Sequence, residues 1–298
     1  MPLPPLPDPP RRSERVGAVL RAAPVVAFLS STLLALNGAQ TASLALLPIS
    51  RRGFRRFNRF AADLWWGWSV TAAKKLYGTR IDVTGDDVPP LESAIVIANH
   101  QQMADINFLM FLARSKSRLG DLKWFVKKPL KYVPGIGWGM VFLDCIFVER
   151  NWAADRSSIE RTFERLVRDR IPVWLVTFPE GTRVTPDKLE GARAYAVKRG
   201  LTPPRHVLVP RTKGFAATVH GLRGHVDAVY DVTIGYDDGV PTLWQFTKGF
   251  VTVAHLDVRR YPIDELPDND EELSAWLLQR FEEKDQRLDD FYRSGAMS

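Results

Sequence analysis

Beyond residue 79 the chain alternates short apolar runs with amphipathic stretches. Runs of strand length lie at residues 81–84, 94–98, 124–126, 146–148, 173–178, 207–209, 226–234 and 250–256. Residues 153–171 set Ile159, Phe163, Leu166, Val167 and Ile171 on one helical face. Residues 270–292 do the same with Leu273, Trp276, Leu277, Phe281, Leu288 and Phe291. Strands interleaved with helices in this way predict an α/β fold, a mixed, partly parallel sheet flanked by helices. No internal repeat is visible.

The N-terminal segment follows another pattern. Proline occupies positions 2, 4, 5, 7, 9 and 10, which predicts a disordered Pro-rich tail over residues 1–15. Arg11, Arg12, Arg15 and Arg21 then precede a stretch, residues 22–50, without a charged residue. That is long enough for a bilayer crossing, which takes about 20 apolar residues. Asn37, Gly38 and Gln40 interrupt it, and residues 22–36 alone would reach only about 22 Å as a helix. Arg51, Arg52, Arg55, Arg56 and Arg59 follow, so both flanks are basic. One crossing leaves a basic flank on the disfavoured side, whereas a hairpin keeps both on the cytoplasmic side. The expectation is therefore a membrane-docking helical hairpin, broken near residues 37–40 and dipping into one leaflet. A single spanning helix is the alternative; a cleaved signal peptide fits less well, because the Pro-rich lead-in is long and no clean cleavage site follows.

Residues 54–77 bring Phe54, Phe57, Phe60, Ala61, Leu64, Trp65 and Trp68 to helical spacing among Arg55, Arg56, Arg59, Lys74 and Lys75. Such a face suits a helix lying in the membrane interface; a core helix with a solvated basic side gives the same pattern. The chain thus divides into a tail (1–15), membrane-associated helices (16–78) and an α/β domain (79–298).

Composition narrows the partners. A chain of 298 residues can bury one substantial core beside a docking appendage. The formal net charge of +7 favours anionic partners, whether nucleic acid, phosphorylated substrates or acidic headgroups. Nine tryptophans, several of them close to Arg and Lys near the N-terminus, point to a membrane boundary. Nucleic acid is disfavoured, since the Arg cluster adjoins an apolar run and no zinc-finger or RNA-binding aromatic motif occurs. Cys145 is the only cysteine, which excludes an intramolecular disulfide. It lies in a strand-like apolar run, residues 141–148, and reads as a small core residue rather than a nucleophile. No Cys/His spacing indicates a metal.

Reactive side chains gather at two strand ends. In Asn99-His100-Gln101-Gln102-Met103-Ala104-Asp105 an apolar strand ends at Asn99 and a helix is predicted over 106–112. His100 therefore falls on a strand-to-helix turn. On a continuous helix His100 and Asp105 would stand about 140° apart. On a turn, Asp105 can fold back, fix the imidazole tautomer and leave the other nitrogen to accept a proton from an alcohol. A helix-entry Asp beside an unrelated His is what the spacing alone leaves open. The second run carries the strand 173–178 into Pro179-Glu180-Gly181-Thr182-Arg183. Gly181 lets backbone approach a ligand, and Arg183 can grip a phosphate through two hydrogen bonds. A capped turn with an exposed ion pair is the plainer reading.

Together these runs resemble the glycerophospholipid acyltransferase family, of the 1-acylglycerol-3-phosphate O-acyltransferase type, which carries four ordered blocks. The first is Asn99-His100 to Asp105; the second runs from Lys127-Lys128-Pro129 through Pro134-Gly135-Ile136-Gly137 to Ile146-Phe147-Val148-Glu149-Arg150. Phe178 to Arg183 is a complete third block. The fourth, His206-Val207-Leu208-Val209-Pro210, continues into Arg211-Thr212-Lys213-Gly214-Phe215, which looks like the lysocardiolipin and lysophosphatidylinositol acyltransferase branch. Residues 220–298 match no block.

The resemblance implies transfer of a fatty acyl chain from acyl-CoA or acyl carrier protein to the free hydroxyl of 1-acylglycerol-3-phosphate, giving phosphatidic acid. Lysophosphatidylinositol, lysophosphatidylglycerol and lysocardiolipin are the alternative acceptors, and no metal or cofactor is implied. His100 becomes the general base and Asp105 its partner. Arg150 and Arg183 become phosphate contacts, with Lys127 and Lys128 as helpers or merely a solvated basic turn. Glu180 is expected to orient Arg183 or an acceptor hydroxyl, Gly181 to act through its backbone, and Thr182 to complete the substrate-binding turn. Arg211 and Lys213 are candidates for the donor's phosphates. The expected location is the cytoplasmic face of a membrane, the bacterial inner membrane or its equivalent, with membrane lipids as partners. A thioester hydrolase and a non-catalytic basic membrane-binding protein are the rival functions.

Overall fold

The computed structural model describes residues 2–149 and 152–297. Its frame is a seven-stranded sheet: β1 (Arg80–Gly85), β2 (Ala94–Ala98), β3 (Leu122–Lys127), β4 (Ile146–Val148), β5 (Trp174–Thr177), β6 (Ala228–Gly235) and β7 (Val253–Pro262). The spatial order is β1-β7-β6-β2-β5-β3-β4. Strands β6, β2, β5, β3 and β4 run parallel, while β7 pairs antiparallel to β6. The sheet is mixed and mostly parallel, as the alternation predicted.

Among the described residues the α-helices are α1 (Arg12–Ala42), α2 (Arg51–Tyr77), α3 (Asp105–Ser115), α4 (Ile136–Phe142), α5 (Trp152–Arg168), α6 (Pro186–Lys198), α7 (Thr212–Leu222), α8 (Leu243–Thr247) and α9 (Asp270–Ser294). Successive strand residues point to opposite faces, so β2 feeds two cores at once. Ala94, Val96 and Ala98 join Ala62, Trp66 and Val70 of α2 and Phe108, Leu109 and Leu112 of α3. Ile95 and Ile97 join α5, α7 and α9 on the other face, through Phe163, Phe215 and Leu277 among others. A strand buried on both faces reads as an apolar run, which is why β2 and β5 stand out in the sequence; β6 is equally buried but carries Asp231, which is paired with Lys284. In α5 the predicted face holds Ile159, Phe163 and Leu166 in the core, whereas Val167 is exposed. In α9, five of the six predicted core residues are buried and Trp276 is partly so, stacked on Phe215 at 5.5 Å.

One expected strand does not form. Residues 207–209 are a buried loop. The backbone N–H groups of Arg205, His206 and Val207 donate to the Asp285 carboxylate of α9 at 2.7–3.1 Å, so these buried donors are met by a side chain rather than a ladder. Cys145 does not belong to one long strand either. Val141 and Phe142 end α4, and the strand begins only at Ile146.

The N-terminal helices depart from expectation in three ways. First, α1 passes unbroken through Asn37, Gly38 and Gln40. Asn37 Nδ2 donates to Gln40 Oε1 at 3.2 Å within the helix, and just beyond its end Ser43 Oγ accepts from Asn58 of α2 at 3.1 Å. The hairpin turns later, at residues 47–50, where Ser50 caps α2 by accepting from the Gly53 amide at 3.0 Å. The stretch Arg12–Leu46 is long and apolar enough to cross a membrane, by length and composition. Second, the aromatic face of α2 is largely covered by protein. The Trp65 indole donates to the Leu29 carbonyl at 2.9 Å, Trp68 packs on Phe28 and Phe54 on Phe142, while Phe60 alone of that set is fully exposed. Third, residues 2–10 are not a loose tail but lie extended along residues 239–248. Leu6 N donates to the Val240 carbonyl at 3.0 Å, Val240 N to the Pro4 carbonyl at 2.8 Å, and Gln245 grips the Leu6 carbonyl and Asp8. Prolines lack an N–H, so the few non-proline positions make the donor contact, and Leu3 and Leu6 pack onto the core.

Candidate active site

Because β2, β5, β3 and β6 are parallel, their carboxyl ends open on one edge of the sheet, where ligands of open α/β sheets bind. The end of β2 supplies Asn99 and His100, β5 leads into Phe178–Arg183, β3 ends at Lys127, and β6 ends one residue before Tyr236. Pairs distant in sequence thereby meet.

His100 and Asp105 form the pair that the turn geometry predicted. Asp105 is the first residue of α3, and its Oδ2 lies 2.9 Å from His100 Nδ1. The same oxygen accepts from the backbone N–H groups of Gln101 and Gln102 at 2.7 and 2.9 Å, and Oδ1 accepts from the Tyr236 hydroxyl at 2.6 Å. The carboxylate is fully buried, and these donors together with the amino end of α3 compensate the lost hydration. With Nδ1 occupied, Nε2 is the nitrogen left to exchange a proton. Phe178 fixes the plane of the ring by stacking on it, centroids 4.0 Å apart and planes inclined by 17°.

The two loops are bound edge to edge. His100 N donates to Glu180 Oε1 at 3.0 Å, and Val184 N donates to the His100 carbonyl at 2.9 Å. Glu180 thus holds the His100 backbone; of the two roles expected for it, orienting Arg183 or an acceptor hydroxyl, the first is not seen, since Arg183 bonds Gln102 instead. Burial, with Asp105 nearby, pushes its carboxyl well above the usual carboxylate range, although the amides of His100 and Leu208 act against this. Asn99 completes the frame. Its side-chain amide donates to the Ile234 carbonyl at 3.0 Å and accepts from the Ile234 N–H at 2.8 Å, extending the β2–β6 pairing past the last strand residue.

Gly181 earns its place by conformation. Its φ is +70°, and a Cβ there would stand 3.1 Å from the Arg211 side chain, which crosses over it. Arg211 N in turn donates to the Pro179 carbonyl at 2.8 Å. Arg183 is exposed and donates to Gln102 Oε1, which sets its guanidinium beside the His100 turn. Thr182 accepts from Lys188 Nζ at 2.7 Å. Lys127 reaches the site, whereas Lys128 is tied to Glu149 beyond β4 and behaves as the solvated turn residue. Arg150 lies outside the described residues.

A cavity of about 600 Å³ opens beside His100. Pro179, Gly181, Arg211 and Lys213 border it, and Met110, Trp124 and Met140, with Trp66 of α2, form much of its apolar wall. Cys145 is buried and free, and burial pushes its thiol up to about 11, which fits the inert core residue expected.

Sequence reading missed Asn99 as a stitch, Tyr236, and the contacts that the C-terminal helix, itself predicted, makes with the site. A tyrosine just after an apolar strand carries no spacing signal toward a histidine far earlier in the chain. Helix α9 bonds the fourth block through Asp285, and also through Asp289, whose Oδ1 lies 3.1 Å from His206 Nε2. Tyr292 of the same helix reaches Gln101 Oε1 at 3.4 Å.

The chain is similar to known proteins in both fold and sequence. The fold is similar to that of the 1-acyl-sn-glycerophosphate acyltransferase PlsC from Thermotoga maritima, with a TM-score of 0.52 at 17% identity, covering 93% of this chain and 97% of that one. In sequence the chain is 37% identical over 265 residues to 1-acyl-sn-glycerol-3-phosphate acyltransferase 2 of Arabidopsis thaliana, covering 86% of this chain and 68% of that protein. It is 34% identical to lysocardiolipin acyltransferase 1 of Gallus gallus, covering 85% and 68%. The chain spans 63% of the length of the Brassica oleracea 1-acyl-sn-glycerol-3-phosphate acyltransferase 2 that it matches at 36% identity. A family described as acyltransferase C-terminus matches residues 246–298, and the Acyltransferase family matches residues 80–263, a span holding His100, Asp105 and the Glu180–Arg183 turn; the chain belongs to that family.

Proposed function

We propose that the protein transfers a fatty acyl chain from an acyl thioester, acyl-CoA or acyl carrier protein, to the free hydroxyl of 1-acylglycerol-3-phosphate. The observation that carries this reading is the imidazole of His100, braced by Asp105, opening onto an apolar cavity with cationic side chains at its mouth. The acceptor hydroxyl gives its proton to Nε2 as its oxygen bonds to the thioester carbonyl carbon. The tetrahedral centre then collapses, the carbon–sulfur bond breaks, and the leaving thiolate takes the proton from the imidazolium. Asp105 stabilises that imidazolium, and no acyl-enzyme forms. The acyl chain occupies the apolar cavity, Arg211 and Lys213 face the donor's phosphates, and Arg183 takes the acceptor's phosphate.

A second reading, an acceptor with a larger headgroup, is favoured by the Arg211–Phe215 continuation and by the lysocardiolipin acyltransferase relative. One experiment decides. Purified protein is offered lysophosphatidic acid, lysophosphatidylinositol, lysophosphatidylglycerol and lysocardiolipin with each thioester, and products are read by mass. Diacyl product from lysophosphatidic acid is expected to dominate. Free fatty acid without diacyl product would make it a hydrolase.

The setting we propose is the cytoplasmic face of a membrane, with helix α1 lying along one leaflet. Both ends of α1 are held on the same domain. The tail that leads into it is pinned at residues 239–248, and its far end packs on α4, where Gly135 touches Leu33. Val16, Leu20, Phe28 and Leu34 point outward, and Tyr132, Ile136 and Trp138 around α4 are exposed as well. Changing Ile136 and Trp138 together to glutamate is expected to weaken pelleting with anionic vesicles at least tenfold, on the order of what removing two apolar anchors costs. Unchanged pelleting would remove this face from the membrane contact.

A further inference from the structure

Asp105 is held by more than the turn that carries it. Among the described residues, the Tyr236 hydroxyl is the one side-chain donor to this carboxylate besides His100, at 2.6 Å, and both groups are buried. Tyr236 leaves the end of β6 and its ring meets Phe108 of α3 edge-on at 5.7 Å, so the phenol is seated by the same helix that begins with Asp105. We propose that Tyr236 is a positioning residue that sets how strongly Asp105 acts on the catalytic imidazole, by orienting the carboxylate and sharing its charge.

The physical argument is competition. Asp105 Oδ2 serves His100 and two backbone amides, and Oδ1 serves Tyr236. A hydrogen bond from a neutral donor to a carboxylate disperses its charge, leaving less to hold a proton on the imidazole. Burial and the charge of Asp105 both push the phenol's ionisation well above its ordinary value, so Tyr236 remains a donor. The other ionisable groups facing the pair are Glu180 beneath the His100 amide, Tyr292 of α9 on Gln101, Arg183 on Gln102 and Arg211 across the cavity mouth, while Lys284 of α9 acts on Glu180. Asp105 accepts a hydrogen bond from none of them.

This inference rests on His100 acting as the base, and the test separates the two. The pH dependence of kcat/KM for acyl transfer is measured on the full chain, wild type and Tyr236→Phe. In the variant the acidic limb is expected to move to higher pH by roughly half a unit to one unit, because the whole carboxylate charge now falls on the imidazole. The value of kcat at neutral pH should drop roughly 3- to 30-fold with KM for both substrates within about twofold, since the loss is confined to the chemical step. Tyr230→Phe, which removes a buried hydroxyl on β6 that bonds Glu92 and touches neither Asp105 nor its turn, should leave the limb in place. A limb that stays put or moves down in Tyr236→Phe overturns the proposal while leaving the acyltransferase reading intact. Absence of transfer by the wild type overturns that reading, and this one with it. Should Tyr236→Phe fail to fold, 3-fluorotyrosine at position 236, a stronger donor of nearly the same shape, is expected to shift the limb downward; an upward or absent shift counts against the proposal.

Discussion

Replacing His100 by alanine is expected to lower the rate of acyl transfer by about 100- to 10,000-fold, the range that positioned general acid–base groups supply. The drop should fall on kcat and leave KM for the thioester little changed. The cavity keeps its apolar wall, and the imidazole edge contributes only a small part of its lining. Folding should survive, because the contacts that join the two site loops are made by the His100 backbone to Glu180 and Val184, and alanine retains both. Single-turnover measurement with a radiolabelled thioester checks this. A variant with near-wild-type turnover would show that Nε2 moves no proton in the slow step.

The second large effect is expected far from the chemistry, in the C-terminal helix. Lys284 of α9 is fully buried, with Nζ 2.6 Å from Asp231 on β6 and 2.7 Å from the Val232 carbonyl. Burial pushes its ammonium down and Asp231 opposes that shift. Removing Asp231 strands the Lys284 ammonium inside the protein, so Asp231→Ala is expected to cost about 3–5 kcal/mol in chemical denaturation; Lys284→Ala should cost less, because Arg287 stands 3.6 Å from Asp231. The double change Asp231→Leu with Lys284→Met, which leaves no charge unpaired, should cost far less. Equal losses in the single and double variants would mean that the helix is held by its apolar face alone. The coupling matters to the site because α9 also carries Asp285, Asp289 and Tyr292. These tie down the loop after His206 and the turn after His100.

Legibility along the chain tracks how local each signal is. Strand β2 was readable to the residue, because a strand buried on both faces is an apolar run whatever surrounds it. The same rule misled at residues 207–209, where an apolar stretch is buried but its amides are met by Asp285 from α9. Asn37, Gly38 and Gln40 read as a helix break because polarity inside an apolar run usually marks one. In the fold Asn37 and Gln40 are buried beside Gly139 of α4 and bond to each other, while Gly38 is exposed, so the helix continues. The aromatic residues of α2 could not be assigned to lipid or to protein from spacing, since an apolar face has the same period toward either.

At the site, the pairing of His100 with Asp105 was legible from residue types and order, whereas their reading as base and partner came with the family resemblance. His100 and Asp105 belong to one turn, and five residues of chain suffice to bring them within 2.9 Å. The glycine at 181 was likewise local, because a backbone at φ +70° demands it wherever the turn lies. What the sequence could not decide is what stands around them. Glu180 under the His100 amide, Tyr236 on Asp105 and Arg211 across Gly181 arise from segments 80, 131 and about 30 residues away, and only the parallel sheet brings them to one edge. Short-range geometry follows from covalent chain length, whereas the electrostatic surroundings of a buried pair are set by whichever strands happen to be neighbours. That order, β6-β2-β5-β3, is a property of the folded core and is written in no single stretch of the chain.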